Sequence, residues 1–157
     1  MTWTWARRFL LVAATAVLAV EPAAAQRAAE LGIHGVFTAQ DEELFAGGLY
    51  GALRTTRRTR IALTIAAGSA GSEFVARGEL LGHFLLSPTT RGVGVYAGGG
   101  IAGVVGPGEE GYLVLLVGAE SAPGGRSGWA VEGGLGGGAR VAVGYRWRWQ
   151  RRAGRPE

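Results

Sequence analysis

The chain contains no cysteine. That removes a disulfide scaffold, a thiolate metal site, a cysteine nucleophile and a cysteine-linked lipid anchor. It contains no lysine either, so all 16 basic residues are arginine. The arginines are scattered over turns and form no basic stripe interleaved with aromatics, so nucleic acid is not an expected partner. Charge is sparse, at 18% of residues against roughly 25% in soluble domains. Hydrophobic residues reach 48%, yet no run approaches the length of about 20 that a membrane helix needs. Glycine is plentiful at 29 residues, and the glycines sit inside apolar segments, where they belong to folded structure. At 157 residues there is room for one domain. An apolar exterior without a spanning helix points to a barrel.

The first 25 residues read as a signal peptide. Arg7 and Arg8 precede a 12-residue apolar core from Phe9 to Val20, and Ala23, Ala24 and Ala25 supply small residues for cleavage after Ala25. A 12-residue core is too short to remain as a spanning anchor. The division is therefore residues 1–25 as signal peptide, 26–149 as barrel and 150–157 as a short basic tail.

The rest of the chain falls into strand-like segments near 30–38, 44–54, 60–67, 73–86, 92–105, 112–120, 129–136 and 140–149. Turn chemistry separates them: Gly68-Ser69-Ala70-Gly71, Ser87-Pro88-Thr89-Thr90, Gly106-Pro107-Gly108-Glu109, Gly137-Gly138 and three similar stretches. A tilted strand needs about 9 to 11 residues to cross a bilayer, and an even strand number returns both ends to one side. The expected fold is an all-β, eight-stranded, antiparallel up-and-down transmembrane barrel.

A period of two supports this reading, because barrel side chains alternate between lipid and lumen. On the last segment Val141, Val143, Tyr145, Trp147 and Trp149 oppose Ala142, Gly144, Arg146 and Arg148. Trp129 and Val131 likewise oppose Ala130 and Glu132, and Ile61, Leu63 and Ile65 oppose Arg60, Ala62 and Thr64. In the glycine-blurred second and fifth segments, Phe45, Leu49, Leu53, Val93, Val95 and Ile101 are assigned outward and Tyr50, Arg54 and Tyr96 inward. Glu30, His34, Arg60, Arg77, Glu79, His83, Glu120, Glu132, Arg146 and Arg148 all fall on the polar parity. An Arg facing lipid at mid-membrane costs roughly 2 to 4 kcal/mol, so this parity must line the lumen. Glu30, Arg77, Glu79, Glu132, Arg146 and Arg148 are the expected ion-pair set, with Glu30, Glu132, Arg146 and Arg148 as one cluster near the periplasmic end. Gly94, Gly98, Gly100 and Gly134 are expected to make room for long Arg and Tyr side chains, leaving no open pore.

The run Gly144-Tyr145-Arg146-Trp147-Arg148-Trp149 resembles the C-terminal assembly signal of outer-membrane barrels, a glycine followed by aromatics two residues apart. With the signal peptide and eight alternating segments, the chain resembles the small OmpA/OmpX-type barrel family. The resemblance implies recognition by the barrel-assembly machinery. The expected protein is a non-enzymatic monomer whose partners are outer-membrane lipid and lipopolysaccharide. Trp129, Tyr145, Trp147 and Trp149 also fit an interfacial aromatic belt.

No cofactor or metal is expected. A lipid A-modifying barrel enzyme would need a nucleophile, base and orienter within reach, whereas Ser69, Ser72, Ser87, Ser121 and Ser127 fall in turns or at strand ends, away from His34 and His83. A small adhesin would be expected to display long loops, and a soluble lipocalin-like barrel would place Trp129, Trp147 and Trp149 inside. With both termini periplasmic, the outer loops would hold Asp41, Glu42, Glu43, Glu109 and Glu110, and the periplasmic turns and tail would hold Arg54, Arg57, Arg58, Arg91, Arg126, Arg151, Arg152 and Arg155. The expected role is structural, in envelope integrity.

Overall fold

Burial alternates along the strands, with a break at residues 97–100, which are uniformly half-buried, and the sheet closes on itself. The computed structural model describes residues 28–150 apart from 41, 42, 88–90 and 107. The signal-peptide segment, Asp41, Glu42, the Pro88-Thr89-Thr90 stretch, Pro107 and residues 151–157 of the tail lie outside the described residues.

The strands are β1 (Ala28–Ala39), β2 (Leu44–Arg54), β3 (Thr59–Ala70), β4 (Glu73–Leu85), β5 (Val93–Val105), β6 (Glu110–Ser121), β7 (Ser127–Leu135) and β8 (Ala139–Gln150). Each pairs antiparallel with its chain neighbour, and β8 pairs with β1, from Ala28 opposite Gln150 to Ala39 opposite Ala139. That last ladder removes both free edges, whose unpaired backbone groups would otherwise invite aggregation. Among the described residues no helix is long and apolar enough to cross a membrane, which says nothing about strands.

One turn differs from the sequence expectation. Gly68, Ser69 and Ala70 continue β3, opposite Val75, Phe74 and Glu73, so the connection shrinks to Gly71 and Ser72. Gly71 makes this possible with φ of 56°, a left-handed conformation that a side chain disfavours.

Large apolar residues cover the outside. Leu31, Ile33, Leu49, Ile65, Leu113, Leu115, Val117, Val141 and Val143 are exposed, as are Trp129, Tyr145, Trp147 and Trp149. In the two glycine-blurred strands, Phe45, Leu49, Leu53, Val93, Val95 and Ile101 face out, and Tyr50 and Tyr96 face in. Inside, two apolar clusters are interleaved with the charged side chains. Val36, Leu44, Ala46, Ala66, Val75, Val104 and Ala142 fill the end that carries the β1–β2 and β3–β4 connections, and Tyr50, Ala52, Ala62, Leu81, Leu85, Tyr96, Ala102, Val114 and Leu116 pack through the remainder. An eight-stranded barrel is just wide enough for its own side chains, and this one is filled by them.

The glycine expectation needs correction. Gly98 does yield space to the His83 ring, 2.6 Å from a hypothetical Cβ, but Gly94 yields it to Pro123, and Gly100 and Gly134 to the neighbouring strand's backbone at Leu80 and Leu115. At none of the four is an arginine or a tyrosine among the nearest neighbours. Space for Tyr96 comes from Gly118, where a Cβ would lie 2.5 Å from the ring. In a closely coiled sheet, backbone approach competes with side-chain volume for the same missing Cβ.

Candidate functional site

Thirteen polar or charged side chains are buried in the lumen, among them Glu30, His34, Arg60, Arg77, Glu79, His83, Glu120, Glu132, Arg140, Arg146 and Arg148. They are brought there by strand parity. Burying ionised groups is costly unless each is paired and hydrogen-bonded. Four carboxylates and six guanidiniums, counting the half-buried Arg54, meet this demand as one continuous network among the described residues.

At one end of the barrel, which carries both of its termini, Glu30 and Glu120 gather four arginines. Arg54 donates from Nε to Glu30 at 3.0 Å and from Nη2 to Glu120 at 3.2 Å. Arg60 Nη1 lies 3.3 Å from Glu30 and 2.7 Å from Glu120, while Arg148 and Arg146 reach the same Glu120 oxygen at 3.2 and 3.3 Å. Deeper in, Glu132 accepts from Arg146 at 2.9 Å, Arg140 at 3.0 Å and the Tyr96 hydroxyl at 2.8 Å. Glu79 then accepts from Arg140 and Arg77, both at 2.8 Å, and Arg77 donates onward to the Gly136 carbonyl at 3.2 Å. Arg146 stacks over the Tyr50 ring with its central carbon 4.2 Å from the centroid, and Arg60 lies 4.8 Å from the Tyr96 centroid.

Glu30 and Arg148 are therefore in one group, Arg77 and Glu79 in another, and Arg146 with Glu132 joins them. Glu30 has no contact with Arg146 or Glu132; Glu120 provides the link. Sequence reasoning missed Arg140, which shares the parity of Ala142, Gly144, Arg146 and Arg148 and could have been found by extending the alternation two residues back. It also left out Tyr96 as a hydrogen-bond donor to the network.

The termini end is capped by the β6–β7 turn. Pro123 is buried against Gly94, and Ala122 holds a left-handed φ of 43° that directs two carbonyls inward. The Pro123 carbonyl accepts from Arg54 at 3.2 Å and the Ala122 carbonyl from Arg148 at 3.0 Å. Outside the lumen the two rims differ in sign. Arg57, Arg58, Arg91 and Arg126 are exposed at the termini end, and Glu43, Glu73, Glu109 and Glu110 at the other.

The two histidines do not meet a nucleophile. His83 Nδ1 accepts from Arg60 Nε at 3.1 Å, and its ring packs 5.0 Å from Tyr96. His34 borders a gap of about 10 Å³, room for one water, alongside Tyr50, Glu132 and Arg146. Ser121 accepts from the Trp129 amide, and Ser127 from the Tyr145 hydroxyl. Ser69 and Ser72 are exposed near the acidic rim. Among the described residues no group of His, Asp and Glu is arranged to hold a metal ion.

Charges sealed inside and apolar side chains displayed outside define a filled β-barrel of inverted polarity, the arrangement opposite to that of a water-soluble barrel. No family model matches the sequence, and no curated protein is recognisably similar to it. Solved structures do match the fold. The N-terminal β-barrel domain of Pseudomonas aeruginosa OprF aligns with a TM-score of 0.56 at 12% identity, covering 76% of this chain and 97% of that one. Neisserial surface protein A aligns with a TM-score of 0.56 at 11% identity, covering 78% and 97%. At such identity the likeness is one of fold, the closed eight-stranded architecture of small outer-membrane barrels.

Proposed function

We propose that this protein is a non-enzymatic outer-membrane β-barrel, exported by its N-terminal signal peptide and serving envelope integrity as a monomer. The observation that carries the reading is the polarity of the wall: Leu49, Leu113, Leu115 and Val117 are all more than 60% exposed, while Glu30, Arg60, Glu79 and Arg140 are about 1% exposed. A soluble lipocalin-like barrel needs the reverse. The fold shared with the OprF domain and with a Neisserial surface protein supports an envelope location. Short connections such as Gly71–Ser72 do not supply the long loops of an adhesin, and the separation of the serines from His34 and His83 supports the non-enzymatic reading over lipid A modification.

In this reading the termini end faces the periplasm and the acidic rim faces outward, where Glu43, Glu73, Glu109 and Glu110 meet divalent cations that bridge lipopolysaccharide. A protease site placed at Ser72 should be cut in whole cells, and one at Arg57 should not; cutting at Arg57 alone reverses the orientation. The test of the main proposal is migration on a gel before and after boiling, combined with envelope fractionation. A heat-dependent shift in the outer-membrane fraction is expected. A water-soluble monomer would sink the proposal.

A further inference from the structure

The arginines of the lumen are not evenly matched by carboxylates. In the inner half, Glu79 and Glu132 face Arg77, Arg140 and Arg146. At the termini end, Glu30 and Glu120 face Arg54, Arg60 and Arg148, and Glu120 is shared further with Arg146. The lumen as a whole holds six guanidiniums against four carboxylates, and at the termini end the two carboxylates are also drawn on by Arg146 through Glu120. Two guanidinium nitrogens there, Arg60 Nη2 and Arg148 Nε, are buried without a hydrogen-bond partner. The side chains that carry them are no more than 1% exposed.

Both orphan donors belong to groups converging on the same carboxylates. Arg60 and Arg148 reach one Glu120 oxygen at 2.7 and 3.2 Å, and Arg54 and Arg148 lie 3.0 and 3.6 Å from one Glu30 oxygen. Arg54 differs from the other two in having 17% of its side chain exposed, which opens the group to the mouth. Around that mouth Arg57, Arg58, Arg91 and Arg126 add positive charge, with no exposed carboxylate at this end among the described residues. Buried donors are nearly always satisfied, and an unbalanced buried cation is strongly unfavourable. The planar guanidinium fork is shaped for a tetrahedral oxyanion.

We propose that the termini-end mouth of the lumen binds a phosphate-class oxyanion on Arg54, Arg60 and Arg148, either as the free ion or as the phosphate of a lipid headgroup. The positive rim raises the local anion concentration collectively, without any single rim arginine touching the bound ion. The Ala122–Pro123 turn already engages Arg148 Nη1 and Arg54 Nη2 through its carbonyls, which leaves the other guanidinium nitrogens of this group for the anion. The site stands on lumen residues alone, so its failure leaves the membrane reading untouched, and the reverse also holds.

The test uses the purified barrel in a zwitterionic detergent, with folding followed by tryptophan fluorescence and checked by the heat-dependent gel shift. Inorganic phosphate is titrated at fixed ionic strength with chloride as the balancing ion, and short-chain phosphatidylglycerol is titrated in a parallel series. The unfolding midpoint should rise, in proportion to the logarithm of ligand concentration once that exceeds the dissociation constant. Arg54→Gln should weaken the apparent affinity by about tenfold, the loss of one charge-assisted pair, while Arg57→Gln on the rim should change it by less than about threefold. A rise with inorganic phosphate that depends on Arg54 assigns the free ion. A response to phosphatidylglycerol alone, with the same Arg54 dependence, assigns the headgroup. A midpoint flat in both titrations, or an affinity indifferent to Arg54→Gln, overturns the site. If Arg54→Gln does not fold, Arg54→Lys keeps the charge but loses the fork, and an unchanged affinity in that variant overturns it equally.

Discussion

Arg146 and Glu132 meet at 2.9 Å on adjacent strands, with side chains 4% and 5% exposed, and each also serves a different neighbour, Glu120 for the arginine and Arg140 for the glutamate. They are the joint between the two halves of the lumen network. Removing one partner strands the other's charge in a low-dielectric interior, a loss of about 3 to 5 kcal/mol, whereas replacing both removes the stranded charge. Glu132→Gln and Arg146→Met should each destabilise the barrel strongly, and the double variant by clearly less than their sum. Denaturant unfolding of all four proteins in one lipid measures the coupling. Strict additivity would show that the pair acts as two independent sites.

A second prediction separates glycines that make room from glycines that do not. The Tyr96 ring is held by its hydrogen bond to Glu132, by the Arg60 guanidinium and by His83, so it has little freedom to retreat. A methyl on Gly118 would press into it, whereas one on Gly133 would meet nothing within 4 Å. Gly118→Ala should cost about 1 to 3 kcal/mol, in the range of core overpacking. Gly133→Ala should stay within about 0.5 kcal/mol, as exposed substitutions do. Tyr96→Leu in the Gly118→Ala background should recover part of the loss. Equal effects at both glycines would show that the ring is not tightly packed.

The strands and their faces could be read from the sequence because a period of two is local information. Val141 to Trp149 shows it without ambiguity, and even β2 and β5, where glycines dilute it, yielded the right face for Leu49, Tyr50, Ile101 and Tyr96. Partners across the lumen are another matter. Glu120 and Arg60 lie on β6 and β3, strands that are not paired, so no ladder register places them 2.7 Å apart; that distance depends on the barrel's diameter and stagger. The Ala122–Pro123 cap was equally hidden, since Ser121-Ala122-Pro123-Gly124-Gly125 reads as an ordinary solvated turn. Its inward fold depends on the space left at Gly94 on another strand.

The solvent of the outer wall can be tested at one position. Leu49 lies at the middle of β2, points outward and is 68% exposed, with Ile33 and Ile65 directly beside it. In a bilayer, Leu49→Arg should cost about 2 to 4 kcal/mol, the depth-dependent cost of a cation on the lipid face. On a water-facing wall the same change should lie within about 0.5 kcal/mol. Refolding into vesicles, read by the gel shift across a urea series, distinguishes the two. A neutral outcome would contradict the membrane-spanning assignment even though the lumen network would remain as described.

The closing strand joins sequence, assembly and insertion. Trp147 and Trp149 share the outer face with Val141, Val143 and Tyr145, and they sit where β8 meets the start of β1, Trp147 opposite Leu31 and Trp149 opposite Ala29. An indole is favoured at a membrane interface, where its apolar body is buried and its N–H stays wet. Anchoring by that mechanism would act equally in a cell and in a purified lipid mixture. Recognition by assembly machinery would act only in the cell. Trp149→Ala should therefore reduce outer-membrane insertion in cells severalfold while leaving the refolding yield of purified protein into vesicles nearly unchanged. Equal losses in both settings would assign the tryptophan to anchoring alone. Removing residues 151–157, which follow the last strand, should leave insertion intact or raise it, because truncation brings Trp149 closer to the chain end. Loss of insertion on that truncation would move the assembly signal out of β8 and into the tail.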